Sequence, residues 1–173
     1  MMDWLPQGWA PFVIAGAGAV VIAAAGGMLT DLGGWYMALR QPAWKPPDWA
    51  FGPAWTIIFI LAAASAGIAW GAAASDMQRV VIVALFVTNG LLNLLWSLLF
   101  FKLRRPDWAL IEVVFLWLSV LALIVWLAPL SSRASWLMVP YLVWVTFAST
   151  INWGVIKLNP DMMGGMAESG RHG

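Results

Sequence analysis

The sequence predicts an all-α fold, a bundle of five transmembrane helices, and three observations support this prediction. Hydrophobic residues make up 62% of the 173 residues and charged residues only 10%, too few to cover the surface of a soluble domain. Five runs each reach the roughly 20 apolar residues that a helix needs to cross a bilayer. Backbone polar groups in lipid need partners within their own segment, so runs of this length are helices.

The five runs follow one another as a single membrane domain, residues 1–158. In chain order they span residues 9–29, 49–75, 80–101, 108–130 and 134–156. The first run is long for a cleaved signal and has no basic segment before it, so we expect it to remain as a helix. Pro140 lies within the fifth run and should kink that helix. Residues 159–173 read as a flexible, Gly-rich polar tail.

The connections and the basic residues predict an orientation. Short connections make neighbouring helices antiparallel, whereas residues 30–48 form one long loop. Lys and Arg are enriched on cytoplasmic faces. We therefore expect a bacterial cell-membrane protein with the long loop and the C-terminus in the cytoplasm and the N-terminus outside. Seven basic residues share the loop face (Arg40, Lys45, Lys102, Arg104, Arg105, Lys157 and Arg171), and two lie opposite (Arg79 and Arg133).

Composition excludes several classes of function. The chain has no cysteine, and His172 in the tail is its only histidine, so we expect neither thiol chemistry nor a His-based metal site. A net charge of +1 without a basic stripe gives no reason to expect nucleic acid as a partner. No catalytic triad, phosphate-binding loop or paired carboxylates are visible. We expect no required cofactor, and we favour a binding protein over an enzyme.

Small residues recur at four-residue spacing in the second run, at Ala63, Gly67 and Gly71, and Gly90 lies in the third. Such residues let helix backbones approach closely within a membrane. Two interpretations remain open, close packing inside one bundle and a face for a dimer.

The long loop is predicted to be a structured lid. Its segment 42–47 has the spacing Pro-x-Trp-x-Pro-Pro, and Trp35 and Tyr36 precede it. Prolines restrict the unfolded chain, and large rings provide apolar mass that docks on helix ends. The alternative, an aromatic belt at the lipid headgroups, does not account for the proline spacing.

Inside the membrane, aromatic and amide side chains recur on single helical faces. Turned toward one another, these faces would enclose a pocket that suits a flat, mostly apolar ligand, because rings stack on it and amides orient it. The alternative is a solid bundle in which asparagines bond across helices. The faces consist of Phe51, Trp55 and Phe59 in the second run, Asn89, Asn93, Trp96 and Ser97 in the third, and Tyr141, Trp144, Ala148 and Asn152 in the fifth.

Glu112 is the only carboxylate well inside a run, and an intramembrane acid is a functional candidate. It lies one turn past Trp108, however, where it could reach the interface. Lys102, Arg104 or Arg105 could then pair with it, and we favour this structural role.

Three blocks of residues resemble the tryptophan-rich sensory protein and translocator protein family (TspO/MBR), also called the peripheral-type benzodiazepine receptor family. The first block runs from Trp35-Tyr36 to Gly52-Pro53-Ala54-Trp55. The second surrounds Asn93, Trp96, Phe100 and Phe101, and the third runs from Pro140-Tyr141 to Ile151-Asn152. With five spans in matching order, the resemblance covers roughly residues 9–159.

The resemblance implies a five-helix receptor or transport protein, commonly a homodimer, with a ligand cavity beneath the first loop. Family members bind porphyrins, haem, sterols and synthetic benzodiazepine-site ligands, so a tetrapyrrole is the expected partner besides membrane lipid. Trp153 and Lys157 occupy the stretch of the cholesterol motif without its central tyrosine, which argues against cholesterol binding. The implied ligand-binding residues are Tyr36, Trp44, Trp55, Phe59, Asn93, Trp96, Trp144 and Ala148.

Three functions remain open. The first is binding, transport or sensing of porphyrins; without a usable histidine, we expect recognition of the ring and of its propionates, with Arg40 and Lys45 at the rim. The second is light- and oxygen-dependent porphyrin degradation, with Trp55 and Trp144 as catalytic candidates. The third is a scaffold or dimeric interaction protein.

Overall fold

The computed structural model describes residues 8–161, which form helices and loops without a strand. Five of the helices are long and apolar enough to cross a membrane, which confirms the predicted fold class. The helices are α1 (Ala10–Leu29), α2 (Gly34–Ala38), α3 (Phe51–Ala72), α4 (Asp76–Ser97), α5 (Pro106–Leu127) and α6 (Ser132–Leu158).

Several helices begin before the apolar runs that predicted them. Helix α4 begins at Asp76 because Ser75 and Gln78 form a capping box, in which the Ser75 hydroxyl accepts from the Gln78 N–H at 3.2 Å. The Gln78 side chain accepts in return from the Ser75 N–H at 3.3 Å. In α6, the Ser131 hydroxyl caps the first turn by accepting from the Ala134 N–H at 3.3 Å. Hydropathy alone predicts loops at these polar first turns, but the caps hold them in helical form.

A widened turn follows α4. Residues Leu98–Lys102 form a π-helical turn, and Arg104 behind it has a left-handed φ of 55°. A π turn changes the rotation per residue, so consecutive side chains can face the same region. Phe100 and Phe101 use this freedom: their ring centroids lie 4.9 Å apart, and both face the bundle interior.

The five long helices form a ring in the order α1, α3, α6, α5, α4, which the lighter contact between α4 and α1 closes. Short polar side chains tie the ring together. The Ser65 hydroxyl donates to the Ala134 carbonyl, and the Ser135 hydroxyl donates to the Ile124 carbonyl, both at 2.7 Å. The Asn89 amide donates to the Ser119 hydroxyl at 2.9 Å.

The solid core lies in the half of the bundle away from the long loop. Its largest fully buried side chains come from α5 and α6, among them Leu123, Leu127 and Met138. Helix α1, in contrast, buries only Pro11 among its described residues. Helix α1 therefore covers one side of the bundle without contributing a buried residue to this core.

Asn159 ties the long loop to the end of α6. Its side-chain oxygen accepts from the Arg40 N–H at 2.9 Å, and its side-chain nitrogen donates to the Arg40 carbonyl at 3.0 Å. The same nitrogen donates to the Val155 carbonyl at 2.7 Å. Asn159, which sequence placed in the flexible tail, is therefore buried and belongs to the membrane domain. The tail from residue 162 onward, with His172, lies outside the described residues.

The Phe12 ring of α1 packs against Gly67 of α3. A Cβ atom at this position would lie 2.3 Å from Cδ1 of Phe12, so the Phe12 ring would have to shift to admit it. A Cβ atom at Gly71, one turn further, would meet nothing within 4 Å. Gly67 therefore supports the first interpretation of the small residues, close packing inside one bundle.

We expect Gly67→Ala to destabilise the protein by about 1–3 kcal/mol, the usual cost of overpacking a filled site. Gly71→Ala is the matched control and should leave the melting temperature nearly unchanged. The double variant Phe12→Ala/Gly67→Ala should recover part of the loss. Thermal unfolding in detergent, followed by circular dichroism, measures all three, and equal melting temperatures for Gly67→Ala and Gly71→Ala would contradict the prediction.

Candidate ligand-binding cavity

A cavity of about 590 Å³ lies in the half of the bundle next to the long loop. All five long helices contribute to its wall, and the loop residues Tyr36, Gln41 and Lys45 contribute to its roof. The volume falls within the roughly 300–1,000 Å³ that is typical of small-molecule sites. The bundle is therefore not solid throughout.

Trp55 is the centre of the aromatic wall on α3 and α6. Its ring stacks on Phe59, with centroids 5.5 Å apart, and meets Tyr141 edge-on at 5.8 Å. Trp144 approaches Trp55 at 6.4 Å and an angle of 82°, and Phe51 packs against Trp144 at 5.5 Å. Because positions 51, 55 and 59 are four apart on α3, the helix presents them on one face.

A second aromatic group covers α4 and the roof. Trp96 stacks on Phe100 at 5.1 Å, and Phe101 meets Trp96 edge-on at 6.0 Å. The loop residue Tyr36 packs against Phe101 at 5.8 Å, and Trp35 packs against Phe100 at 6.1 Å. The π-helical turn, which turns both phenylalanines inward, thus gives the loop an apolar surface to rest on.

Amide groups serve two purposes around the cavity. The Asn93 side chain, in the wall, donates to the Tyr141 hydroxyl at 3.1 Å. Asn152, with its amide oriented to satisfy both neighbours, donates to the Pro106 carbonyl at 3.0 Å and accepts from the Leu110 N–H at 3.2 Å. Asparagines therefore do bond across helices, as one interpretation expected, yet the cavity exists beside them.

Three hydrogen-bond donors at the cavity wall have no protein partner among the described residues. They are the indole N–H groups of Trp96 and Trp144 and the side-chain amide nitrogen of Gln41. Buried donors normally have a partner, so each unpaired donor calls for an explanation. The three nitrogen atoms are themselves buried, so a ligand in the cavity could reach them only after neighbouring side chains shift.

A small polar network stands at the mouth of the cavity, where the loop meets α3. The Tyr36 hydroxyl donates to Oδ1 of Asp48 at 2.7 Å, and Nζ of Lys45 donates to the same oxygen. Burial raises the pKa of the Tyr36 hydroxyl, and the hydrogen bond to Asp48 raises it further. Tyr36 therefore stays protonated and acts as a donor.

The structure brings seven of the eight residues that sequence proposed for ligand binding to one cavity wall. Trp44 is the exception: it is 55% exposed, and its indole packs toward Gly154 on α6. Their role in binding stays a prediction. The seven are Tyr36, Trp55, Phe59, Asn93, Trp96, Trp144 and Ala148.

Sequence reasoning missed part of the wall. Helix α1 contributes Ile22, Ala23 and Gly26, whose spacing of three to four residues is the only signal, and Asp48 contributes at the start of α3. The two predicted rim residues differ: Lys45 lines the cavity, whereas Arg40 is exposed and does not.

Glu112 is buried, at 5% exposure, and neither carboxyl oxygen has a partner among the described residues. The expectation that it reaches the interface and pairs with a nearby cation is therefore wrong. Arg105 binds Asp107 instead, through Nε at 2.8 Å, and lies over the Trp108 ring at 4.6 Å. The described residues contain no group of three acidic, His or Cys side chains that could hold a metal ion.

Fold and cavity together define the class: an integral membrane protein whose five helices enclose an aromatic chamber under a loop. The chain belongs to the TspO/MBR family, whose profile matches residues 12–158. This confirms the resemblance that the sequence blocks indicated.

Relatives from three organisms support the assignment. The tryptophan-rich protein TspO of Chlorobaculum tepidum is 40% identical over 126 residues, covering 73% of this chain and 80% of the relative. The protein CrtK of Rhodobacter capsulatus is 36% identical over 142 residues, covering 82% and 89%. The human translocator protein is 30% identical over 132 residues, covering 76% and 78%. The similarity thus extends across most of each chain.

We expect Glu112→Met to raise the stability by about 1 kcal/mol or more, because it removes a buried polar group that has no partner. Asp107→Asn is the contrasting control and should lower the stability, since Asp107 binds Arg105. The melting temperature of each purified variant in detergent measures both effects. A marked loss of stability in Glu112→Met would show that the carboxyl group has a stabilising partner.

Proposed function

We propose that this protein is a receptor that senses or transports porphyrins or similar planar, mostly apolar tetrapyrroles, bound in the cavity. The observation that carries the proposal is the aromatic wall around Trp55 and Trp144, which surrounds a space of about 590 Å³. Aromatic faces attract flat conjugated rings, and Tyr36 and Lys45 at the mouth of the cavity offer polar contacts.

The wall also suggests how such a ligand would be held. Its ring would stack on Trp55 and Trp144 while the loop covers its edge. Helix α1 is the most exposed part of the enclosure and contributes only small or aliphatic side chains, so a ligand dissolved in the lipid would pass beside it. With no histidine among residues 8–161, recognition would depend on the ring and its substituents rather than on an axial imidazole.

Location and assembly complete the proposal. The basic residues Arg40, Lys45, Lys102, Arg104 and Arg105 precede or follow helix ends on the loop side, which supports a cytoplasmic loop and C-terminus with the N-terminus outside. A bacterial cell membrane and a homodimer remain part of the proposal. The names of relatives, sensory protein and translocator protein, agree with sensing or transport.

Protoporphyrin titrated into the purified protein in detergent should quench its tryptophan fluorescence with a saturable curve. Ala148→Phe should weaken this binding about tenfold or more, because the ring fills the cavity. Ala17→Phe, on the exposed face of α1, is the matched control and should bind normally. Equal affinities for the two variants would place the porphyrin outside the cavity, and complete absence of quenching would favour a scaffold role.

A second function, degradation of porphyrin in light and oxygen, has one observation in its favour. Trp55 and Trp144, both in the cavity wall, lie in mutual contact and beside Tyr141, so oxidisable rings would surround a bound porphyrin. Porphyrins, however, are photosensitisers on their own. We favour binding over degradation for this reason.

We expect bound protoporphyrin to be degraded under light and air at the same rate in Trp55→Phe/Trp144→Phe as in the parent protein. The two proteins are compared at equal porphyrin occupancy. Absorbance of the bound porphyrin over time measures this. Trp136→Phe, whose ring is 71% exposed, is the control. A fall of about tenfold in the double variant alone, which corresponds to about 1.4 kcal/mol in the barrier, would establish degradation as an activity.

A further inference from the structure

We propose that Lys45 selects ligands that carry a carboxylate at their loop-facing edge, and that Asp48 is a resident carboxylate which such a ligand displaces. The selection rests on the proposed function, because it assigns ligand chemistry to the mouth of the same cavity. Lys45, Asp48 and Tyr36 all line that cavity.

The ammonium group of Lys45 is held where a ligand edge would lie. Its side chain is only 10% exposed, and its charge is balanced by Asp48. A cation this far from water needs a charged or hydrogen-bonding partner, because desolvation is otherwise costly. Whatever replaces Asp48 at this point must therefore be an anion or a strong acceptor.

Two aromatic rings fix the position of the ammonium group. Nζ of Lys45 lies 5.5 Å from the centroid of the Tyr36 ring and 5.7 Å from that of Phe51. These distances are within the range of cation–π attraction. Lys45 is consequently positioned before any ligand binds, which spares the ligand the cost of ordering it.

Asp48 is the more exposed partner of the pair. Its side chain is 42% exposed, against 10% for Lys45, and it stands in the short 3-10 turn Asp48–Ala50 that opens α3. A carboxylate at the rim can turn into water with little loss of solvation. Lys45, enclosed by rings and the cavity wall, stays in place.

The exchange conserves charge and hydrogen bonds. Tyr36 and Lys45 both donate to Oδ1 of Asp48, so a ligand carboxylate that arrives there finds two donors already converging. Asp48 leaves to solvent, the ligand oxygen takes its place, and no bond is made or broken covalently. Charge-assisted hydrogen bonds of this kind favour a carboxylate over an uncharged ester.

Arg40 provides a matched comparison on the same face of the membrane. Its side chain is exposed and lies outside the cavity wall, while its backbone is bound by Asn159. Removing its charge changes the basic character of this face as much as removing that of Lys45. Only Lys45, however, is placed to touch a ligand.

The test compares protoporphyrin, which has two propionates, with its uncharged dimethyl ester, by tryptophan quenching in nanodiscs of neutral lipid. We expect Lys45→Met to weaken the diacid about tenfold and to leave the ester unchanged, as loss of one charge-assisted bond predicts. Lys45→Arg should keep most of the preference. Asp48→Asn should strengthen the diacid alone, because a neutral amide competes less for Lys45. Arg40→Met should leave both affinities unchanged.

An unchanged ratio of diacid to ester affinity in Lys45→Met would overturn the proposal. Equal losses in Lys45→Met and Arg40→Met would also overturn it, since they would reveal a general effect of surface charge. If Lys45→Met does not fold, the Asp48→Asn variant tests the proposal. Diacid binding that is unchanged in Asp48→Asn would then contradict carboxylate selection by Lys45. Failure of the parent protein to bind either porphyrin removes the proposed function itself, whereas ester binding without a diacid preference removes only the role of Lys45.

Discussion

The cavity depends on the close packing of α5 against α6 in the half of the bundle away from the loop. Apolar burial drives helices together only weakly in lipid, so contact surfaces and cross-helix hydrogen bonds must do so. In this half, Ser135 bonds α6 to α5, and Ser65 bonds α3 to α6. With one half held in this way, the other half can remain open around Trp55 without collapse.

The loop completes the enclosure because two contacts hold it on α6. Asn159 binds both backbone groups of Arg40, and Gly154 has no side chain where Pro42 rests: a Cβ there would lie 2.5 Å from the proline ring. The roof residues Tyr36 and Lys45 lie on either side of this anchor. A movement of the loop segment around Arg40 and Pro42 would therefore break contacts with α6.

Departures from regular structure gather at the loop end of the molecule. The π-helical turn Leu98–Lys102, the left-handed Arg104 and the unpaired buried carboxyl of Glu112 all lie there. The opposite end has regular caps and a filled core. Proteins tolerate such departures where function requires them, and the π-helical turn supplies Phe100 and Phe101 to the wall of the cavity on which the proposed function depends.

Sequence by itself determined the five spans, because length and hydropathy decide whether a segment remains in lipid. The motifs determined the family, and seven of the eight residues predicted for ligand binding line the cavity. Tertiary structure decided what local patterns do not encode. Trp44 is exposed, Glu112 has no partner among the described residues, and Asn159 is buried and hydrogen-bonded to Arg40. Each outcome depends on residues distant in the chain, as with Asn159 and Arg40. Helical periodicity predicts which face of a helix a residue occupies, but it does not predict which element packs against that face.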